Sequence, residues 1–337
     1  MSVRRTSLIL VVAAVVLVAL AGVVRFVAAP SATKLPDDTD QTVRYAGKAT
    51  MLDGKALRSG DAADAIKSDI PITVDRRVHV TSTHGDTAVL EDTLTMHVGD
   101  QSLPSSKTYS IDRDSRKGTV PPTSAAVEPS RGALSSAFPP DAKQDDSYTY
   151  YDSTTQSIVP VRYTGTAERK GREVNVYKIT VAAPVKDPAV LEPLPPALPK
   201  NLVTRLAPGI DAKALPDPVP LAYRGESTLV AYVDQQTGVA IDQSVDRKVV
   251  ATTAAGGKET ALLPVSAFAF AIVPESQKDL ADKAASAGLL LTLLADVTPL
   301  VLVGIAAVLL LVVFLRGRKQ QAAPTPSQEG AAAAEAA

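Results

Sequence analysis

Residues 72–98 read ITVDRRVHVTSTHGDTAVLEDTLTMHV, and apolar and polar side chains alternate on both sides of a short turn. Alternation with a period of two is typical of strands that bury one face. His84-Gly85-Asp86 supplies a turn between the two alternating runs, so the stretch predicts a β-hairpin. The apolar positions of its two strands are Ile72, Val74, Val78 and Val80, and Leu90, Leu94, Met96 and Val98.

The same alternation recurs along the middle of the chain. It predicts further strands at residues 108–112, 148–151, 158–163, 173–181, 227–234, 239–250 and 261–272. Short turns between such runs favour antiparallel pairing. We therefore predict a β-rich α+β domain of curved antiparallel sheets, with helices only towards the ends of the chain.

A proline-rich connector at residues 183–220 divides these strands into predicted halves at about 40–182 and 221–275. Proline fits neither a central strand nor a helix interior, so the connector is either an extended lid over the sheet or a flexible linker between domains. Residues 73–78 resemble residues 244–249. This echo is compatible with two related halves that enclose an apolar cavity, and a chance match is the alternative explanation.

The N-terminal end is apolar enough to span a membrane. Residues 6–24 are 19 uncharged residues, and a helix of this length reaches about 28 Å. We predict that residues 1–5 are cytoplasmic and that residues 6–27 form an anchor helix. A cleaved signal peptide is the alternative, because small residues follow at Ala28-Ala29, although Arg25 separates them from the apolar run.

A second uncharged run of 19 residues, 297–315, is followed directly by basic residues. Since basic residues flank the outer ends of both runs, the positive-inside rule places both termini in the cytoplasm. Residues 28–283 are then expected outside a plasma membrane. The tail at residues 316–337 has no apolar periodicity and is predicted to be disordered.

Residues 284–296 form an apolar approach to the second span and are predicted to be a juxtamembrane helix. It ends at Asp296, and Pro299 marks a natural break in the helical ladder. We interpret Asp296 as the outer membrane boundary, where a carboxylate meets water. Contact of this residue with a partner protein inside the membrane is the alternative.

The composition excludes several kinds of chemistry. With 35 Lys+Arg against 36 Asp+Glu the chain carries almost no net charge, so nucleic acid is not an expected partner. The absence of cysteine excludes thiolate metal sites, thiol catalysis and disulfides. His79, His84 and His97 lie on polar strand faces or in a turn without the spacing of a metal site, so no cofactor is predicted.

The carboxylate pairs Asp112/Asp114 and Asp145/Asp146 lie in turn-rich segments and are interpreted as solvated turn residues. The sequence lacks a nucleophile elbow, a phosphate-binding glycine loop and a dinucleotide fingerprint. We therefore expect that the protein is not an enzyme.

Several short motifs make the chain resemble a known family, the actinobacterial PorA-like proteins of a former domain of unknown function. The resemblance covers about residues 5–316, and the motifs lie at residues 109–113, 138–140, 148–152, 176–179 and 232–239. It implies an envelope protein of lipoglycan or mycolate-type biogenesis, whose periplasmic β domain holds a lipid or glycolipid in an apolar cavity. It also implies an inner-membrane lipid exporter of the MmpL type as a partner.

A curved sheet can enclose such a cavity with its inward side chains. The residues predicted to line it are Leu90, Leu94, Met96, Ile111, Tyr148, Tyr150, Val174 and Val176. Ordinary core packing is the alternative role for each of them. A protein-binding scaffold for the envelope growth machinery is the alternative function. A porin is disfavoured because the predicted membrane segments are helical and the strands carry charges.

Overall fold

The computed structural model describes residues 3–53, 56, 65–122, 126–207, 209–211, 213, 215–255 and 258–321. The chain divides into a helical unit, up to Ala32 and from Leu289 on, and a β unit at Thr33–Gly288.

The strands are β1 (Asp40–Leu52), β2 (Ile66–His84), β3 (Thr87–Val98), β4 (Gln101–Asp112), β5 (Thr149–Asp152), β6 (Ser157–Arg169), β7 (Arg172–Pro184), β8 (Ala197–Leu198), β9 (Val219–Pro220), β10 (Ala222–Asp234), β11 (Ala240–Ala255) and β12 (Lys258–Ile272). The α-helices are α1 (Val3–Val23), α2 (Ala29–Ala32), α3 (Pro188–Leu191), α4 (Lys200–Leu206), α5 (Pro274–Thr292) and α6 (Thr298–Gln321), with π-helical turns at Val24–Ala28 and Leu293–Val297.

Ten strands form one antiparallel sheet in the order β4-β3-β2-β1-β12-β11-β10-β7-β6-β5. The predicted hairpin is confirmed, because β2 and β3 pair from Ile72 with Val98 to His84 with Thr87. Gly85 in its turn has a φ of +59°, which glycine adopts without strain. The other predicted strands are also present, most of them longer than expected. The β-rich fold between two apolar helices is therefore as predicted.

Strand β1 was not predicted, although it lies at the centre of the sheet between β2 and β12. Its sequence does alternate, with Tyr45 and Ala49 buried and Arg44 and Lys48 exposed. Small residues weaken the pattern. Gly47 is one of them, and a side chain at this position would collide with the backbone of Phe270 on β12.

The sheet curls into a half-barrel. In a flat sheet with strands about 4.8 Å apart, β4 and β5 would lie about 43 Å from each other. Instead, short segments connect these two edges. Ile111 of β4 bridges Gly118, and Lys117 bridges Leu134. Leu134 in turn bridges Tyr150 of β5.

The rest of β4 is an open edge. Residues 101–106 are exposed, and no described segment pairs with their free side. Glu128 donates a backbone hydrogen bond of 2.8 Å to the carbonyl of Thr108, so the even-numbered residues of β4 turn their backbone groups outward. Pro104 shares this parity and therefore removes one outward N–H from the edge.

The two faces of the sheet differ in chemistry. Tyr45, Val74 and Ile272 are paired neighbours on one face and are buried; we call it the inner face. The opposite, outer face carries exposed charges such as Arg44 and Arg77. The alternation of the sequence thus separates an apolar interior from a wetted exterior.

The proline-rich connector packs on the sheet. Val185 belongs to the cluster of Tyr223 and Val249, and Leu191 and Leu194 pack against it. The leucines and valines of residues 198–219 form a second small core centred on Val203, against which Leu262 of β12 packs. The strands of both predicted halves belong to the same sheet, since β1 pairs with β12 and β7 with β10. The connector therefore behaves as a cover and not as a linker between separate sheets.

In the helical unit, α1 and α6 pack against each other. Ala14, Ala21 and Ala306 are buried there, and small residues are what allows close approach of membrane helices. By length and composition, the helices spanning Thr6–Ala32 and Pro274–Arg316 can each cross a membrane. This fits a two-pass membrane protein with a β domain between the spans.

The helix bounds differ from those expected. Helix α5 begins at Pro274, ten residues before the predicted juxtamembrane helix, because proline suits the first helical turn and Leu280 and Ala284 bury one face. Helix α6 continues to Gln321, so residues 316–321, expected in the disordered tail, are helical. The remainder of that tail lies outside the described residues.

Candidate functional site

Six of the eight predicted lining residues lie on the inner face and two do not. The strand pairing places Leu90, Leu94 and Met96 of β3 on the same face as Val74 of β2, and the alternation of β4 and β5 adds Ile111, Tyr148 and Tyr150. Val174 and Val176 point to the outer face of β7. Val174 is buried there against Ala281 and Ala284 of α5.

The six inner residues have two environments. Leu90, Ile111 and Tyr148 are buried in core clusters. Leu94, Met96 and Tyr150 keep part of their surface accessible, although they lie within the curled sheet. Partly accessible apolar neighbours extend this surface, which we call the inner apolar patch: Met51, Ile70, Leu94, Met96, Phe268 and Phe270.

A buried ion pair adjoins this patch. The guanidinium of Arg76 donates from Nε to Asp92 Oδ1 at 2.9 Å and from Nη2 to the carbonyl of Ser136 at 3.3 Å. Ser136 Oγ also donates to Asp92 at 3.0 Å. Burial alone lowers the pKa of Arg76, but the Asp92 carboxylate outweighs it and raises that pKa well above its usual value. The Arg76 guanidinium therefore stays charged.

A second pair shows that this face is the inside of the curl. Arg247 on β11 lies 3.2 Å from Asp152 Oδ1 on β5. These strands are four places apart, about 19 Å in a flat sheet, which an arginine side chain cannot reach. Tyr45 OH donates to Gln243 Oε1 at 2.9 Å on the same face. Six polar side chains of the strands on this face form what we call the inner polar belt: Tyr45, Arg76, Asp92, Asp152, Gln243 and Arg247.

A third ionic contact fastens the connector to the edge strand. Lys107 Nζ on β4 lies 2.8 Å from Asp187 Oδ2 and 3.4 Å from Glu128 Oε1. Asp187 also caps α3 by accepting from the N–H of Ala189. Burial lowers the pKa of Lys107, yet these two carboxylates outweigh burial and the pKa is raised.

Three turns share one local design that the sequence analysis missed. In each, an aspartate accepts hydrogen bonds from the backbone N–H and the hydroxyl of the residue three places on. The pairs are Asp112 with Ser115, Asp152 with Thr155, and Asp234 with Thr237. The spacing D-x-x-[S/T] after a tyrosine-containing strand was the available signal.

The Asp234 turn joins two of the motifs that carry the family resemblance. Asp234 is buried and receives a 2.8 Å hydrogen bond from Arg172 Nε. Gly238 follows with a φ of +74°, and a Cβ there would collide with the carbonyl of Pro139. The 232–239 motif and the 138–140 motif therefore fit against each other, which gives both a structural role.

The remaining candidates do not assemble into a reactive centre among the described residues. No group of three or more His, Asp or Glu side chains in that part of the chain could hold a metal ion. His97 contacts Ser102 on the outer face. Asp145 accepts from the N–H of Ser147 and Asp146 pairs with Arg162, as turn residues do. The inner face presents apolar side chains and fixed polar groups.

Comparison with known proteins gives a family match over most of the chain. The family model described as "Porin PorA" matches residues 6–315. No curated protein matches the chain. Nine chains of solved structures match it, among them a MaoC-like dehydratase from Phytophthora capsici, with 9% identity, coverage of 68% of this chain and 71% of that one, and a TM-score of 0.13. A TM-score this low carries no argument about fold or function.

Proposed function

Since the chain belongs to the PorA family, we propose that it is a membrane-anchored envelope protein whose β domain binds or carries a lipid or glycolipid without changing it chemically. The proposal places the β domain outside the plasma membrane, with both termini in the cytoplasm. An inner-membrane lipid exporter of the MmpL type is the proposed partner.

The observation that carries this proposal is the inner apolar patch. Met96 and Phe268 are partly accessible on the inner face, where a filled core would bury them. Each methylene of an acyl chain that replaces water there contributes about 0.8 kcal/mol. A chain of ordinary length can therefore bind without a charged contact, and the inner polar belt can meet the polar end of the same molecule.

The family description includes the word porin, and the distribution of charge argues against a pore made by this sheet. A membrane-spanning barrel needs an apolar band on its outer surface and a polar lumen. Here the outer face carries Arg44, Lys48 and Arg77, and the inner face is mainly apolar. This is the reverse arrangement, and the two apolar helices are long enough to attach the protein to a membrane instead.

Photocrosslinking in intact membranes tests the proposal. Benzoylphenylalanine is introduced into the full chain at Met96, and irradiated protein is examined by mass spectrometry for lipid adducts. Thr95 is the matched control, since it is the next residue on the same strand and faces outward. We expect a lipid adduct at position 96 and none at 95. If position 96 stays unmodified while position 95 captures protein, the scaffold function replaces this one.

A further inference from the structure

The two π-helical turns of the helical unit contact each other through their charged residues. Arg25 lies in the first turn and Asp296 in the second. Arg25 Nη1 donates to the backbone carbonyl of Ala295 at 2.8 Å and lies 3.4 Å from Asp296 Oδ1. The contact with the backbone carbonyl of Ala295 is the shorter of the two. It is therefore the main hydrogen bond of the guanidinium, and the ion pair with the Asp296 carboxylate is the weaker contact.

The position of Pro299 explains why the Ala295 carbonyl needs this donor. Ala295 lies where the π-helical turn passes into α6, so its carbonyl can accept from residue 300 in the π-helical register or from residue 299 in the α-helical one. Residue 299 is a proline without an N–H, so the α-helical partner is missing. Near or inside a bilayer a carbonyl without a donor is costly, because water is scarce. Arg25 from the other helix supplies the hydrogen that the proline lacks.

The N-terminal helix also has a π-helical turn shortly before a proline. Its π-helical turn precedes Pro30, and Ser31 Oγ donates to the carbonyl of Val27 at 2.7 Å. π-Helical turns are thus present in both spans, and they contact each other. Single π-helical turns inside α-helices are frequently found at functional sites.

We propose that Arg25 locks the two spans together by replacing the missing N–H of Pro299, and that the N-terminal helix is retained in the mature protein as the partner of the C-terminal span. Removal of the N-terminal helix as a signal peptide would take Arg25 away. It would leave the Ala295 carbonyl without this donor and Asp296 without this ion pair. The proposal decides between the anchor and the cleaved signal peptide.

Disulfide trapping of the full chain in its membrane tests the lock. The chain has no cysteine, so the variant Ala14→Cys/Ala306→Cys reports a single pair. Both alanines are buried and lie about 15 Å along their helices from the Arg25–Asp296 contact. Val15→Cys/Ile305→Cys is the control pair, at similar depth but exposed. We expect oxidation to link the first pair and not the second.

The decisive comparison adds Arg25→Met with and without Pro299→Ala to the reporter pair. Arg25→Met should lower the linked fraction about threefold, the size of an inter-helix hydrogen bond in a membrane. Pro299→Ala restores an N–H to the Ala295 carbonyl and should return the linked fraction towards its original value. An Arg25→Met variant that links normally, or one that Pro299→Ala does not rescue, overturns the lock.

Retention of the helix is measured independently on the unaltered protein. We expect the mass of the protein purified from its own membrane to show that the N-terminal helix, which ends at Ala32, is still part of the chain. A mature protein that begins near Ala28 or later contradicts the proposal, whatever the variants do.

Discussion

Tyr109 on β4 and Tyr151 on β5 lie at opposite edges of a ten-stranded sheet, yet their ring centroids are 6.4 Å apart in an edge-to-face arrangement. Both are buried in one cluster with Leu90 and Ile111. Tyr151 OH also donates to Glu128 Oε2 at 2.7 Å. The curl of the sheet is therefore fixed by side-chain contact as well as by the bridging segments.

Tyr151→Ala should destabilise the β unit by about 3–5 kcal/mol, because it leaves a large cavity at this seam. Tyr151→Phe should cost only about 1 kcal/mol, since it removes the hydrogen bond to Glu128 and keeps the ring. Denaturant unfolding of the detergent-solubilised chain measures both. Equal losses for the two variants would mean that the hydroxyl, and not the ring, holds the seam.

Asp92→Asn should cost about 3–5 kcal/mol because it leaves Arg76 buried without its charge partner. Arg76→Met/Asp92→Leu should be milder than Asp92→Asn alone, since both charges are gone. The matched control is Asp40→Asn, which breaks the exposed pair with Arg77 on the outer face and should cost far less, because water screens an exposed pair. Similar losses for Asp92→Asn and Asp40→Asn in the same unfolding assay would rule out a buried pair.

Stability should fall in acid partly through Asp234. Burial raises the pKa of its carboxyl, but hydrogen bonds from Arg172 and Thr237 outweigh burial and hold the pKa below its usual value. A lowered folded pKa gives stability that is complete above the unfolded value of about 3.9 and is lost as the pH falls below it. Asp234→Asn should therefore be less stable at pH 7 and lose less on acidification. The exposed Asp246→Asn serves as a control for the removal of one carboxylate from the sheet.

The proposed lipid binding predicts that Met96→Glu reduces lipid capture at least about tenfold, because an unpaired carboxylate in the inner apolar patch costs more than 1.4 kcal/mol to desolvate. Thr95→Glu places the same charge on the outer face and should leave capture unchanged. Lipid retained by each variant after purification from the membrane is quantified by mass spectrometry. Loss of capture in both variants would point to a general defect.

Gly238→Ala should destabilise the fold more than Gly85→Ala. Both glycines have positive φ, which costs alanine about 1 kcal/mol. A Cβ at residue 85 meets open space, whereas one at residue 238 collides with the Pro139 carbonyl. Thermal unfolding of the two variants should therefore separate the cost of backbone conformation from that of the collision. A smaller shift for Gly238→Ala would contradict the tight fit of the two motifs.

The sequence predicts the strands well where the alternation is strong, as in β2 and β3. It misses β1, because Gly47 and the neighbouring alanines blur the pattern. It also could not predict that β4 and β5 meet, since this contact joins residues distant in sequence through the short bridges at Gly118 and Leu134.

The inner polar belt was within reach of the sequence. Arg76 occupies an apolar position in the alternation of β2, and Arg247 occupies the equivalent place in the echo at residues 244–249. A charged side chain at a strand position that faces the buried side of the sheet requires a partner of opposite charge. The pattern could have signalled the pairs, but only the curl of the sheet identifies Asp152 as the partner of Arg247.

The open edge of β4 bears on how many copies can share one bilayer. Exposed edge strands of neighbouring molecules tend to pair with each other and extend their sheets, especially when anchoring concentrates the molecules in a plane. Pro104 removes one backbone donor from the row that such edge-to-edge pairing would use, which weakens association between copies at this edge.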